Sequence, residues 1–244
     1  MMNKKTALVI GGSGGIGRAI VRRFLKEGMQ VAATYRSDEK LAELQQEFKE
    51  SSVAWYKLDF LDDSISVFEG IGKAFPLIDV VVFGPTLPTP HIPLIEVVWQ
   101  DIEAHLRVQL QGMHTMAAHL KKQLQEKYPA RFIIILTEYC LGKPPAGLAP
   151  YVVAKYALMG FAKTMAVELA RYGSTVNMIS PGMVKTDLLA NVPSKLIEMA
   201  GEQNPLKRIA EPEDIARVVS FLASDEAGYL NGVNIPVNGG NVIL

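Results

Sequence analysis

The stretch ALVIGGSGGIGRAIVRRFLK, Ala7 to Lys26, joins an apolar strand, a glycine-rich turn and an amphipathic helix. Ala7 to Ile10 reads as a buried strand. Gly11-Gly12-Ser13-Gly14-Gly15-Ile16-Gly17 breaks it before helical periodicity runs from Ile16 to Lys26. That order is the context a dinucleotide-binding turn needs. Glycines let the backbone come close to a pyrophosphate, and the helix N-terminus offers it free N–H groups and the positive end of the dipole. The candidate contacts here are Gly11, Ser13, Gly14, Gly15, Ile16 and Gly17.

Working outward, Val31 to Tyr35 forms a second strand that ends in Arg36 and Ser37. A carboxylate at this place would take ribose hydroxyls, whereas an Arg suits a 2′-phosphate. Tyr35-Arg36-Ser37 has no carboxylate, so NADPH is expected ahead of NADH. Asp38 to Lys49 reads as an outer helix, and Val53 to Lys57 as a third strand that leads to Asp59 and Phe60. Asp59 is a candidate acceptor for an adenine amine or a helix cap near Asp62 and Asp63. Ser64 to Lys73 reads as a helix. Ile78 to Phe83 is too apolar for an exposed strand and fits a sheet covered on both faces. Gly84 and a proline-rich loop follow it, where α/β sheets place ligands.

Farther along, strands are expected at Phe132 to Leu136, Thr175 to Ile179 and Val233 to Val237, with a helix at Asp214 to Ala223 behind Pro212. The sixth strand runs into Pro181, Gly182, Val184 and Thr186. These are candidate cofactor contacts, with the Thr186 hydroxyl a donor to a phosphate or an amide. Trp99 to Tyr128 is expected to be one long helix kinked near Gly112, and Leu188 to Pro205 a mobile substrate lid. The fold expected is α/β: one Rossmann-type, doubly wound domain over 1–244 with a mostly parallel seven-stranded sheet.

Composition narrows the function classes. The 244 residues are 49% hydrophobic and 20% charged, and Lys plus Arg balances Asp plus Glu at 25 each. A neutral chain has no long-range field for nucleic acid or anionic membrane, so an anion must be held by local geometry. No signal-peptide core or 18-residue apolar run occurs, and a cytoplasmic protein is expected. Cys140 is the only cysteine, which excludes an intrachain disulfide, and it is expected to be inert. His105, His114 and His119 lie off metal-ligand spacing; no metal is expected, and these side chains should be satisfied or face solvent.

A second constellation lies between Ala130 and Gly173. Tyr151 and Lys155 are spaced i,i+4 near the start of a helix, on one face. A nearby cation favours phenolate over phenol, which makes Tyr151 a candidate proton donor and acceptor. Tyr151 to Tyr172 is apolar on more than one face, and Met159, Phe161 and Met165 are not all expected to face the sheet. Such patches favour self-association.

With Gly11-x-x-x-Gly15-Ile16-Gly17, Tyr151-x-x-x-Lys155, Pro181-Gly182 and the Val233 to Gly240 tail, the chain resembles the short-chain dehydrogenase/reductase family from Lys4 to Gly240. Its likeness is nearest to the 3-oxoacyl-acyl-carrier-protein reductases. The resemblance implies that Tyr151 passes a proton to a carbonyl oxygen while nicotinamide supplies hydride. Lys155 would hold the ribose and lower the tyrosine pKa. It also implies a serine that polarises the carbonyl and a helix asparagine that supports a water relay. Laying the serine on the strand register gives Thr137, fourteen residues before Tyr151; the family's thirteen-residue spacing gives Glu138. Thr137 is the expected donor, because a carboxylate would repel developing oxyanion charge. The asparagine falls on Gln109 in Val108-Gln109-Leu110-Gln111-Gly112, which moves the amide by one methylene. Ile10 replaces the family's threonine before the first glycine, and Phe83-Gly84-Pro85-Thr86 replaces Asn-Asn-Ala-Gly.

The function expected is an NADPH-dependent carbonyl reductase acting on a small ketone or acyl thioester, with Tyr151, Lys155, Thr137 and Gln109 as its catalytic group. The rivals are a weakly active nucleotide-binding subunit of a heteromeric reductase and an NAD-dependent alcohol dehydrogenase. The resemblance implies a homotetramer or homodimer.

Overall fold

The structure is a computed structural model that describes residues 4–62, 66–190 and 192–244. Seven strands form one sheet: β1 (Thr6–Ile10), β2 (Gln30–Tyr35), β3 (Val53–Lys57), β4 (Val80–Phe83), β5 (Arg131–Ile135), β6 (Thr175–Pro181) and β7 (Asn234–Val237). Their order is β3-β2-β1-β4-β5-β6-β7. Every pairing is parallel, so the sheet is parallel throughout rather than mostly so. Parallel strands buried on both faces need apolar residues at successive positions, and β1, β4 and most of β5 are buried without alternation.

Helices cover the two faces. On one, α1 (Gly15–Lys26), α2 (Asp38–Glu47) and α9 (Pro212–Ala223) pack Phe24, Leu44 and Leu222 against Val9, Val82 and Ile133. On the other, α3 (Val67–Ala74), α5 (Gly112–His119), α6 (Lys121–Gln125) and α7 (Ala149–Leu169) surround a second core with Leu8, Phe83 and Phe132, and α4 (Trp99–Leu106) packs on α7. A further helix, α8 (Ser194–Gln203), lies within the segment expected to be a lid. The strand order reverses between β1 and β4. At such a point two connections leave in opposite directions and open a crevice at the strand C-termini, with the glycine turn on its floor.

Two expectations are corrected. Trp99 to Tyr128 is not one helix kinked at Gly112: a π-helical turn, Arg107–Gln111, precedes Gly112, and the helix breaks again at Leu120. Gly112 itself is pressed by Phe60, where a Cβ would lie 3.0 Å from the ring. Met159, Phe161 and Met165 all pack on the second core, and the exposed apolar residues of α7 are instead Val153, Tyr156 and Val167. The helix expected from Ser64 is described from Ser66 onward, because Asp63 to Ile65 lie outside the described residues.

Candidate active site

The glycine turn leaves the end of β1 and is held by its neighbour. The Gly11 N–H donates to Thr34 Oγ1 at 2.9 Å and the Ser13 N–H to the Thr34 carbonyl at 3.1 Å. Thr34 on β2 thus supplies the hydroxyl that Ile10 cannot. Sequence reasoning missed it, because the contact crosses strands. Gly11 has a φ of +86°, open to glycine at little cost. At Gly17 the reason is space, since a Cβ would come within 2.2 Å of the Gly11 carbonyl oxygen. Helix α1 then begins at Gly15, after Gly14 as N-cap, with no side-chain cap and no acidic residue in its first turn. Its leading N–H groups therefore remain available to an anion, and the turn around them has only backbone bulk. These residues fit a dinucleotide.

The other candidate cofactor contacts gather around this turn. Gly84 donates its N–H to the Ile10 carbonyl at 3.0 Å, which holds the loop after β4 against the turn. A Cβ at Gly15 would lie 2.6 Å from the Thr186 methyl, so Thr186 and Gly15 are in contact across the crevice. The Thr186 hydroxyl donates to the Val184 carbonyl at 3.4 Å, and Val184 bridges Ala210. Pro181 ends β6, and the Gly182 N–H donates to the Val237 carbonyl at 3.1 Å. Arg36 is exposed at the end of β2 with no ion pair among the described residues, and Ser37 caps α2 without using its hydroxyl on it. Asp59 accepts from the Leu61 N–H at 2.9 Å. The Phe60 ring is a packing element beside Phe68, Phe83 and Gly112, which leaves its backbone as the part that could meet a cofactor.

Helix α7 brings the second group to the end of β5. Lys155 is buried and donates from Nζ to the Ile135 carbonyl at 2.7 Å, with Nζ 5.7 Å from the centre of the half-buried Tyr151 ring. Burial pulls its pKa down to about 8. Tyr151 shares a hydrogen bond with the Thr137 side chain, which favours the phenolate. Burial outweighs that bond and holds the phenol above its ordinary range. Among the causes acting on Tyr151, desolvation dominates and Thr137 supplies the opposing pull. Cys140, also buried here, is pushed up to about 11, largely by desolvation, so its thiol is protonated at neutral pH.

Thr137 and Glu138 face different ways. Thr137, extended at φ −157° and ψ 150°, meets Tyr151, and its Oγ1 also accepts the Tyr139 N–H at 3.4 Å. Glu138 is buried toward the C-terminal tail, where both carboxylate oxygens lie 3.1 Å from Asn241 Nδ2. Burial raises its pKa, and hydrogen bonds from Asn241 and Asn238 oppose the rise. Its carboxylate borders a cavity of about 520 Å³ between α8 and the tail, lined also by Met183, Asn204 and Arg208.

Gln109 sits in the π-turn with its side chain fully buried. The turn is tied to the Asp59 loop by Arg107, whose Nη2 donates to the Leu61 carbonyl at 3.1 Å. The histidine expectation needs correcting at His105, which is buried with Nδ1 unpaired and stands edge-on to the Tyr151 ring, 6.3 Å between centres. A helical position read from sequence does not show which way its side chain turns. His114 is exposed, and His119 stacks on Phe68 at 5.4 Å.

The proline-rich loop docks on the segment before α7, with the Ile92 N–H donating to the Gly147 carbonyl at 2.9 Å. Among the described residues no helix is long and apolar enough to cross a membrane.

Comparison with known proteins agrees with this geometry. Residues 11–241 match the family model described as enoyl-(acyl carrier protein) reductase. The chain is 34% identical to the 3-oxoacyl-[acyl-carrier-protein] reductase FabG of Staphylococcus epidermidis, over 97% of this chain and 98% of that one. It is 35% identical to the acetoacetyl-CoA reductase of Shinella zoogloeoides, over 98% and 99%. An oxidoreductase of the short-chain dehydrogenase/reductase family from Burkholderia thailandensis superposes with a TM-score of 0.87 at 28% identity, covering 98% of this chain and 93% of that one. With its parallel sheet, glycine turn and Tyr-Lys pair, the chain belongs to the short-chain dehydrogenase/reductase family, in the likeness of the 3-oxoacyl-acyl-carrier-protein reductases.

Proposed function

We propose that this protein is an NADPH-dependent carbonyl reductase that acts on a small ketone or a 3-oxoacyl thioester. One observation carries the reading: Tyr151 is hydrogen-bonded to Thr137 and set beside the buried Lys155, in the family whose relatives are named for 3-oxoacyl and acetoacetyl reduction. Bound NADPH supplies the hydride. The residues that would hold it are the turn from Gly11 to Gly17, Arg36, Ser37, Asp59, the Phe60 backbone, Gly84, Pro181, Gly182, Val184 and Thr186, with Lys155 toward the ribose.

The chain's own work is proton delivery and orientation. Tyr151, kept protonated by burial, donates its proton to the carbonyl oxygen, and Thr137 donates a second hydrogen bond to that oxygen as charge develops on it. Lys155 has one donor committed to Ile135, and its other N–H groups are free to orient a sugar hydroxyl. Arg36 favours the 2′-phosphate because it is an uncommitted cation at the end of β2.

We assign the protein to the cytoplasm and, on the exposed Val153, Tyr156 and Val167 of α7, to a homotetramer or homodimer. The test is Tyr151→Phe, which should abolish NADPH oxidation with ketone and 3-oxoacyl thioester panels while leaving NADPH affinity nearly unchanged. Full activity in that variant rejects the mechanism. Tight NADPH binding by the wild-type protein with no turnover across the panel would favour the nucleotide-binding subunit, a reading supported by Gln109, whose buried amide has no hydrogen-bond partner among the described residues.

A further inference from the structure

The cavity between α8 and the C-terminal tail holds a carboxylate that the reaction above does not use. Glu138 is 5% exposed and borders a space of about 520 Å³, within the size of small-molecule sites, roughly 300 to 1,000 Å³. Among the described residues none of the groups acting on it is a cation; its neighbours are the neutral amides Asn241 and Asn238. These fill part of a carboxylate's acceptor capacity of about four lone-pair sites. Arg208 lines the same space but is committed to Asp214, with Nη1 2.5 Å from one carboxylate oxygen and Nη2 3.2 Å from the other. Glu138, Asp214 and Arg208 are the charged side chains among the described residues of the lining, and they leave one negative charge unbalanced. A buried charge without a counter-ion costs stability, and an amide at this position would avoid that cost.

The cavity begins one residue from the chemistry. Thr137 meets Tyr151, while Glu138, about 3.8 Å farther along the chain, turns into the cavity. Gly182, a candidate cofactor contact, lies on the same lining, and a Cβ there would sit 3.4 Å from Glu138 Oε2. Its φ is not positive, so what the missing side chain provides is space beside the carboxylate. Met183, Leu206 and Ile209 add apolar surface to the lining. A plain acyl chain laid here would cover the carboxylate with carbon and leave it without a counter-ion. An apolar stem that ends in N–H donors and a positive charge suits both the walls and the acid.

We propose, resting on the carbonyl-reductase reading, that this cavity is the selectivity pocket for the substrate and Glu138 its specificity-determining residue, so that the ketone reduced here carries a primary ammonium on a short apolar arm. The carbonyl lies at Tyr151 and Thr137, and the arm passes Gly182 to donate to the Glu138 carboxylate. The substrate class narrows to amino ketones, apart from the acyl thioesters for which the relatives are named.

The test compares two ketones of one shape with the full chain and NADPH: 4-(aminomethyl)acetophenone, whose arm ends in an ammonium, and 4-ethylacetophenone, whose arm is uncharged. Wild-type protein should show a KM about 10- to 100-fold lower for the first, the range of one charge-assisted hydrogen bond. Glu138→Gln should bring the ratio of the two KM values close to one. Equal KM values in the wild type, or a preference that survives in Glu138→Gln, overturn the proposal. Calorimetry separates the pocket from turnover: benzylamine should bind the NADPH-loaded wild-type protein more tightly than benzoate and lose that advantage in Glu138→Gln. Tighter binding of benzoate would give the space to an anion at Arg208 and overturns the proposal equally. If benzylamine binding depends on Glu138 but no ketone is reduced, the ammonium pocket stands and the reductase reading fails. If both ketones are reduced with equal KM and benzylamine has no advantage, the reverse holds.

Discussion

Glu138 is turned onto Asn241, 103 residues away in the chain, with both carboxylate oxygens 3.1 Å from its Nδ2, and this leaves Thr137 alone to meet Tyr151. Thr137 is extended whereas Glu138 opens a 3-10 turn, Glu138–Cys140, so the two side chains leave the backbone in different directions. The tail amide and the cavity beside it provide a polar destination for the acid.

The first prediction separates these neighbours. Thr137→Val keeps the shape and removes the hydroxyl, and kcat for ketone reduction should fall about 100-fold, the cost of losing one oxyanion donor. Glu138→Gln should stay within several-fold of wild type. Initial rates of NADPH oxidation decide it, and the reverse ranking would put Glu138 at the carbonyl.

The Glu138 pKa gives a stability prediction with a definite sign. Burial raises its folded value above 4.5, so as pH rises past 4.5 the unfolded chain loses the proton first. The native state then binds more protons, and stability falls across that window and stays reduced above it. Glu138→Gln should therefore melt at a higher temperature than wild type at pH 7, with the gain shrinking as pH falls below 4.5. A gain independent of pH would refute the linkage.

Arg36 decides between the cofactors. Removing a charge-assisted hydrogen bond costs roughly 1.5 to 3 kcal/mol, so Arg36→Ala should weaken NADPH binding by about 10- to 100-fold and leave NADH nearly unchanged. Titration calorimetry with both cofactors measures this. Equal losses would mean that Arg36 does not touch the 2′-phosphate.

The glycine turn predicts a contrast between two alanines. At Gly17 the new Cβ meets the Gly11 carbonyl oxygen at 2.2 Å, whereas at Gly14 its nearest neighbour is 3.6 Å away. Gly17→Ala must open the turn, and should cost at least about 2 kcal/mol in urea unfolding along with cofactor binding. Gly14→Ala should fold like wild type.

Much of this was readable from residues alone. Four successive buried apolar positions in β4, and the join of strand, glycine turn and helix from Thr6 to Lys26, are local patterns with one structural solution. The Tyr151 and Lys155 pair is local too, since i,i+4 spacing puts both on one helix face. The family and its parallel seven-stranded sheet follow from these features.

What the tertiary structure alone decided is which way side chains face and what they meet across the chain. Thr34 stands in for the missing hydroxyl at Ile10 because β2 lies beside β1, and Met159, Phe161 and Met165 all reach the core because α7 is covered on more than one side. Tyr151 is held protonated by burial against groups from distant segments, and His105 and Gln109 turn their polar atoms inward where no local rule would send them. Periodicity is set by geometry within a few residues, whereas desolvation and hydrogen-bond partners are set by packing between segments far apart in sequence.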